Sequence, residues 1–132
     1  MITLASRLSN IYTPRASVIP YIIIKGQIFF LLGKDQKSGD ITDLGGGVKQ
    51  YESALAGAFR EFTEESNEIL GRITPNDFVC TVALLEKNKM SVVFIPVDKV
   101  WLEAPRLFEE KKKHHRKKSH SEIESLIWFS ES

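Results

Sequence analysis

Gly45–Glu68, GGGVKQYESALAGAFREFTEESNE, is the stretch on which the reading of this chain turns. From Ser53 to about Asn67 it is built of Ala, Leu, Glu and Phe, which favour or tolerate a helix, and Leu55, Phe59, Phe62 and Ser66 recur about one turn apart. The spacing predicts an amphipathic helix. On a helix turning about 100° per residue, Glu61, Glu64, Glu65 and Glu68 stand at i, i+3, i+4 and i+7, so four carboxylates share one stripe. Leu55, Phe59 and Phe62 take the neighbouring stripe and are expected to face the core. Like charges at these spacings each cost a few tenths of a kcal/mol, so the cluster opposes the helix that carries it. A hard divalent cation offsets that repulsion, because Mg²⁺ takes oxygen ligands and binds through one or two carboxylates together with substrate phosphates. The three glycines belong to the same site on this reading: a backbone without Cβ atoms turns sharply and brings a carbonyl or amide close to a ligand. A solvated helix face accounts for any two of the glutamates, and less well for four beside a triple glycine.

Upstream, Ser17–Lys25 and Gln27–Leu32 are rich in β-branched and aromatic residues around Gly26 and predict a β-hairpin. Gly33–Asp40, polar with two glycines, predicts a loop, and Ile41–Leu44 a short strand running into the glycines. Downstream, Phe78–Leu85 and Met90–Val97 form a second hairpin around Lys87-Asn88-Lys89, with Pro96 confining its strand to an edge or an end. After Pro105 a short helix over Arg106–Lys113 leads into a basic run, and Ile123–Phe129 is the last strand. No internal repeat or linker divides residues 1–132, which predict one α/β domain.

The 132 residues are 42% apolar and 27% charged, enough for one buried core and unlike a disordered or collagen-like chain. No apolar run approaches the ~20 residues of a membrane span, and Met1–Asn10 lacks the pattern of a secretory signal. An intracellular, cytoplasmic protein with no membrane partner is expected. Cys80 is the only cysteine, which forbids an internal disulfide and a multi-thiolate metal site, and its apolar strand context predicts a buried core residue. Six of the 18 cations lie in Lys111–Lys118, KKKHHRKK; the other 12 stand against 17 acids, so the body is acidic with one basic segment. Such a run is usually a solvated loop or helix end, and RNA, followed along its phosphates by Lys111, Lys112, Lys113, Arg116, Lys117 and Lys118, is the partner it would suit. His114, His115 and His120 stand in this crowd of cations, which opposes metal binding there.

Gly46, five residues, Glu52, seven residues and then Arg60-Glu61-Phe62-Thr63-Glu64-Glu65-Ser66-Asn67-Glu68 resemble the signature of the Nudix hydrolase family, G-x5-E-x7-R-E-U-x-E-E-x-G-U with U apolar. All six fixed positions from Gly46 to Glu65 are met, as is the apolar one at Phe62; Asn67 and Glu68 replace the last glycine and the last apolar residue. Asn tolerates the left-handed conformation that ends a helix, and Ile69 is placed to take over the apolar role of Glu68. The box covers about a sixth of the chain. The order of elements around it is similar to the Nudix α/β/α sandwich with a mixed β-sheet, except that the family's final helix is missing or atypical. That helix layer falls to Arg106–Lys113, to a partner subunit in a homodimer, or is not supplied at all.

The resemblance implies roles. The Gly45 carbonyl and the carboxylates of Glu61, Glu64 and Glu65 would ligate Mg²⁺ or Mn²⁺, with Glu61 also acting in catalysis. Arg60 would hold a glutamate in place through a charge-assisted fork. Gly46, Gly47 and Lys49 would meet the substrate, and Glu52 would stabilise the loop and the helix start. A further catalytic glutamate, about six residues before a Trp on the last strand, would be Glu122, with Glu124 as the alternative counting back from Trp128. The implied activity is that of a pyrophosphohydrolase: metal-activated water attacks phosphorus in the diphosphate linkage of a nucleoside diphosphate derivative or a nucleoside triphosphate. Decapping of mRNA and hydrolysis of a diphosphoinositol polyphosphate are the alternatives. A non-catalytic phosphate-ligand binding module is the alternative of another class, although such modules usually lose Glu61, Glu64 or Glu65. Tyr12, Tyr21, Phe29, Phe30, Phe94 and Trp101 are candidates to stack on a base, against the more frequent role of strand aromatics as core.

Overall fold

The computed structural model describes residues 2–4, 12–85, 87, 89–114 and 122–131, with Ile2–Leu4 and His114 described as backbone only. Eight strands form one mixed sheet: β1 (Ile2–Leu4), β2 (Arg15–Ile24), β3 (Gln27–Asp35), β4 (Ile41–Thr42), β5 (Leu44–Gly47), β6 (Thr81–Leu85), β7 (Met90–Pro96) and β8 (Ile123–Ser130). Two helices, α1 (Ala54–Glu65) and α2 (Ala104–His114), complete an α/β domain. Short 3₁₀ turns at Pro75–Asp77 and Lys99–Glu103 precede β6 and α2.

The hub of the sheet is β2. It pairs in parallel with β7 over Arg15–Tyr21, antiparallel with β5 over Arg15–Val18, and antiparallel with β3 over Tyr21–Ile24. Pro20 sits between the end of the β5 pairing and the start of the β3 pairing, where a missing N–H costs the ladder least. Because β2 leaves β3 for β5, the two strands part, and β8 pairs with β3 from Phe29 to Asp35. The split opens at the strand ends that carry Arg15, Gly47 and Asp35, and α1 packs beside it against β2, β5 and β7.

Helix α1 buries Ala54, Gly57, Ala58, Phe59 and Phe62, and Leu55 packs at the margin of the same core. Phe62 is fully enclosed and lies 6.1 Å, centroid to centroid, from Trp101, which meets Phe78 edge to face at 5.9 Å. Around them Val18, Leu31, Leu44, Val93, Ile95 and Phe108 close the core. Helix α2 carries Pro105 in its first turn, where the lost N–H has no partner to miss, and packs on β8. The expected helix over Arg106–Lys113 thus exists, and no helix follows β8 among the described residues.

Several expectations change. Gly33, Lys34 and Asp35 belong to β3 and not to a loop, since Gly33 and Lys34 are taken into pairing by both β4 and β8. Phe78–Cys80 lies outside β6, and Cys80 is part-buried against the core instead of within it, its thiol pushed up by burial. Pro96 ends β7, as expected. Nothing in the pattern announced β1, which pairs β6. His115, His120, Arg116, Lys117 and Lys118 lie outside the described residues. No helix among the described residues is long and apolar enough to cross a membrane.

Because Phe62 fills the space between α1 and Trp101, Phe62→Ala should cost about 3–5 kcal/mol in denaturant unfolding. A loss below about 1 kcal/mol would mean that this contact does not fasten the helix to the sheet.

Candidate functional site

The triple glycine is a strand, not a turn. None of Gly45, Gly46 and Gly47 has positive φ, and all three pair with β2: Gly45 with Ser17, Gly46 with Ala16, Gly47 with Arg15. What the absent Cβ atoms allow is close approach. A Cβ at Gly45 would strike Ser17 and the Ala16 carbonyl, and one at Gly46 would strike the Glu61 carboxylate. Helix α1 therefore lies with Glu61 directly against the glycine backbone.

Each end of α1 is fixed by its own chemistry. Ser53 caps the start, its Oγ accepting from the Ala56 N–H at 3.1 Å. At the other end Asn67 and Glu68 both take left-handed φ, 58° and 54°; the Asn67 N–H donates to Glu64 O at 3.1 Å and the Glu68 N–H to Thr63 O at 2.9 Å. This is a Schellman closure with Asn where glycine is usual. It ends the helix before Glu68, which leaves the acidic stripe and pairs with Arg72 at 3.6 Å. The expected row of four carboxylates is thus three on the helix, and Ile69 packs against the core.

Arg60 ties the region together. Its Nε and Nη2 donate to the two oxygens of Glu52 at 2.9 and 3.0 Å, Nη2 also to the Gly47 carbonyl at 2.9 Å, and Nη1 to Glu61 at 2.9 Å and Glu64 at 3.3 Å. The fork expected of Arg60 thus closes on Glu52, whose Oε1 also accepts from the Lys49 N–H at 2.9 Å. The Arg60 bonds, more than the Lys49 one, hold the Glu52 carboxyl below the usual carboxylate range. Glu52 is thereby a brace for the 48–52 loop. The contact of Lys49 with it is through the backbone, and the Lys49 residue itself is exposed.

Glu65 is in the opposite condition. Burial, and then the charges of Glu122, Glu61 and Glu64, push its carboxyl up to about 7, opposed by Arg15. Its Oε2 is buried without a hydrogen-bond partner, and so are Asp43 Oδ1 and Ser17 Oγ. Asp43 has Arg15 for company at 3.7 Å. Glu122 stands exposed just before β8, its carbonyl accepting from the Gln36 N–H at 2.8 Å. Glu124 instead pairs with Lys34 at 3.2 Å and is not among the charges raising Glu65. Of the two candidates, Glu122 is the one that Glu65 feels.

The structure therefore brings together Gly45, Gly46, Gly47, Glu52, Arg60, Glu61, Glu64 and Glu65, with Glu122 within electrostatic reach. It excludes Glu68. Arg15 joins the site through the β2–β5 register, a pairing that no local pattern in the sequence announces, and brings Asp43 with it through their ion pair. Among the described residues no three His, Cys, Asp or Glu are drawn together as a ready-made metal cluster: Glu61 and Glu64 each turn an oxygen to Arg60. The donors nonetheless fit a hard divalent cation. All are oxygens, and the buried, unpartnered Glu65 oxygen among like charges is the group such an ion would satisfy.

Of the aromatic residues expected to stack on a base, Trp101 is buried against Phe62 and Phe78. Phe30 and Phe94 meet each other edge to face at 6.2 Å. Tyr12 is 60% exposed. A hollow of about 490 Å³ on the other flank of α1, between Phe59, Thr63, Ile73 and Pro75, has Arg60 and Glu64 at its edge.

Three solved structures resemble this one. An Ap4A hydrolase of C. elegans in a binary complex is 22% identical, with 87% of this chain and 77% of that chain covered and a TM-score of 0.50. The pyrophosphohydrolase BsRppH of Bacillus subtilis is 16% identical over 97% of this chain and 70% of that one, with a TM-score of 0.50. The NUDIX domain of Shewanella oneidensis NrtR, complexed with ADP ribose, is 9% identical over 89% and 72%, with a TM-score of 0.51. No family model and no curated protein matches the chain. The likeness is one of fold: this is an α/β chain of Nudix type with a mixed sheet and two helices.

The state of Glu65 sets a pH dependence. Its folded pKa of about 7 lies above the ordinary 4.5, so the native metal-free protein holds this proton more tightly than the unfolded chain. The stability it contributes is complete below about 4.5 and is lost as pH rises through 7. Between pH 5.5 and 8, the melting temperature of the metal-free protein should fall more steeply than that of Glu65→Gln. Parallel profiles would mean that Glu65 is not held among like charges.

Proposed function

We propose that the chain is a metal-dependent pyrophosphohydrolase, splitting a diphosphate linkage in a nucleoside diphosphate derivative or nucleoside triphosphate. The observation that carries this reading is the buried, unpartnered Glu65 oxygen under the charges of Glu61 and Glu64, with the Glu61 carboxylate packed against the Gly46 backbone. The carboxylates of Glu61, Glu64 and Glu65 with the Gly45 carbonyl would hold Mg²⁺ or Mn²⁺. When bound, such an ion neutralises phosphate charge and lowers the pKa of water.

The chain's own groups do the rest. Arg60 positions Glu61 and Glu64 while its fork to Glu52 keeps the loop and helix in register, so the carboxylates are set before substrate arrives. Gly46, Gly47 and Lys49 line the approach for the diphosphate: two residues without side chains and one exposed cation. Glu122, exposed at the edge of the cluster, accepts the proton of the attacking water. A P–O bond forms to the water oxygen as the bridging P–O bond breaks; the bridging oxygen leaves on the other phosphoryl group, giving a monophosphate and a phosphorylated remainder.

The molecules named with two of the structural neighbours, Ap4A for a hydrolase and ADP ribose as a bound ligand, are nucleotides joined through phosphoanhydrides and support a nucleotide here. The basic run lends less support to capped RNA or an inositol pyrophosphate. Lys111 donates to the Glu68 carbonyl at 3.1 Å and Lys112 to the Glu124 carbonyl at 2.6 Å, so two of its six cations fasten α2 to its neighbours.

Glu64→Gln should fold with an unchanged circular dichroism spectrum and lose about a hundredfold or more of Mg²⁺-dependent phosphate release from a panel of nucleotides and nucleotide sugars. Full retained turnover would refute the assignment. Silence of the wild type across the panel would favour a binding module.

A further inference from the structure

Tyr51 is 97% exposed and holds a left-handed backbone, φ 66°. Glycine adopts that conformation freely and a residue with a Cβ does not. A ring standing in water adds nothing to the core, so neither backbone preference nor packing accounts for a tyrosine here. Its place is nevertheless fixed. The Glu52 N–H donates to the Lys49 carbonyl at 3.1 Å, the Lys49 N–H to Glu52 Oε1 at 2.9 Å, and Arg60 grips both Glu52 oxygens. The same guanidinium bonds Glu61 and Glu64, so the loop that presents Tyr51 is locked to the helix face bearing the carboxylates.

A second exposed ring, Tyr12, belongs to the segment that this loop meets. The Val48 N–H donates to the Pro14 carbonyl at 2.9 Å, laying the segment with Tyr12 beside the loop with Tyr51. Among the described residues these two tyrosines are the exposed aromatic side chains. Arg15, opposite Gly47 and 45% exposed, adds a cation next to them.

We propose that Tyr51, with Tyr12 beside it, is the stacking platform for the base of the nucleotide whose diphosphate the carboxylate cluster takes. The proposal rests on the hydrolase reading and narrows it to a diphosphate carrying a flat aromatic ring. An inositol polyphosphate offers none. Stacking on a tyrosine face recognises any base, because every base has a π surface; the platform would hold substrate firmly while discriminating weakly among bases.

The test compares two probes on the whole chain with Mg²⁺ by calorimetry: α,β-methylene adenosine diphosphate and inorganic tripolyphosphate. Tyr51→Ala should lower the ratio of nucleotide to tripolyphosphate affinity by about tenfold or more, and Tyr51→Phe should restore it. Tyr51→Gly separates the ring from the backbone: it should melt no lower than wild type yet bind the nucleotide as weakly as Tyr51→Ala. Unchanged nucleotide affinity in Tyr51→Ala and Tyr51→Gly, or an equal loss for both probes, overturns the platform. A wild type that hydrolyses nucleotides with a KM insensitive to Tyr51→Ala also overturns it and leaves the hydrolase reading standing. Conversely, Tyr51-dependent nucleotide binding with no hydrolysis of any nucleotide supports the platform and overturns the hydrolase.

Discussion

Negative charge held where water cannot fully reach it is the condition on which this site is built. Glu65 is pressed into the angle between α1 and the sheet, with Glu61, Glu64 and Glu122 raising the cost of its ionisation and its own Oε2 left without a partner. Among the described residues only the Arg15 charge opposes it, and Arg15 already faces Asp43. Such an arrangement is the one a cation from outside would relieve.

The glycine strand makes the arrangement possible. A methyl group at Gly46 would push the Glu61 carboxylate out of the place it holds against β5. Arg60 makes it tolerable in the metal-free chain, spreading one positive charge over Glu52, Glu61 and Glu64 and anchoring the Gly47 carbonyl. Brace and site thus share one guanidinium. Loop position, helix position and carboxylate orientation are coupled, which is also why the 48–52 loop can hold Tyr51 in a conformation it would not choose.

Much of this was legible along the chain, because a helix brings together residues three and four apart. Glu61, Glu64 and Glu65 could be placed on one face, and a fork from Arg60 to a glutamate followed from the box, though not that the glutamate is Glu52. What failed depended on distant partners or on local chain reversal. The glycines look like a turn until β2 is known to pair with them. Glu68 continues the stripe only if the helix does, and the left-handed pair Asn67 and Glu68 stops it. Arg15 enters through strand register and Tyr51 through a backbone angle, neither of which composition or periodicity records. Counting back from Trp128 favoured Glu122 over Glu124, but the ion pair of Glu124 with Lys34 depends on the β3–β8 pairing and could not be read from the count.

The most direct test of the account is an anomalous difference map from crystals grown with Mn²⁺ and a non-hydrolysable nucleotide. The account predicts an ion coordinated by the carboxylates of Glu61, Glu64 and Glu65 and the Gly45 carbonyl, with the diphosphate on its open side. A map with the nucleotide bound elsewhere, and these carboxylates free of metal at saturating Mn²⁺, would contradict it.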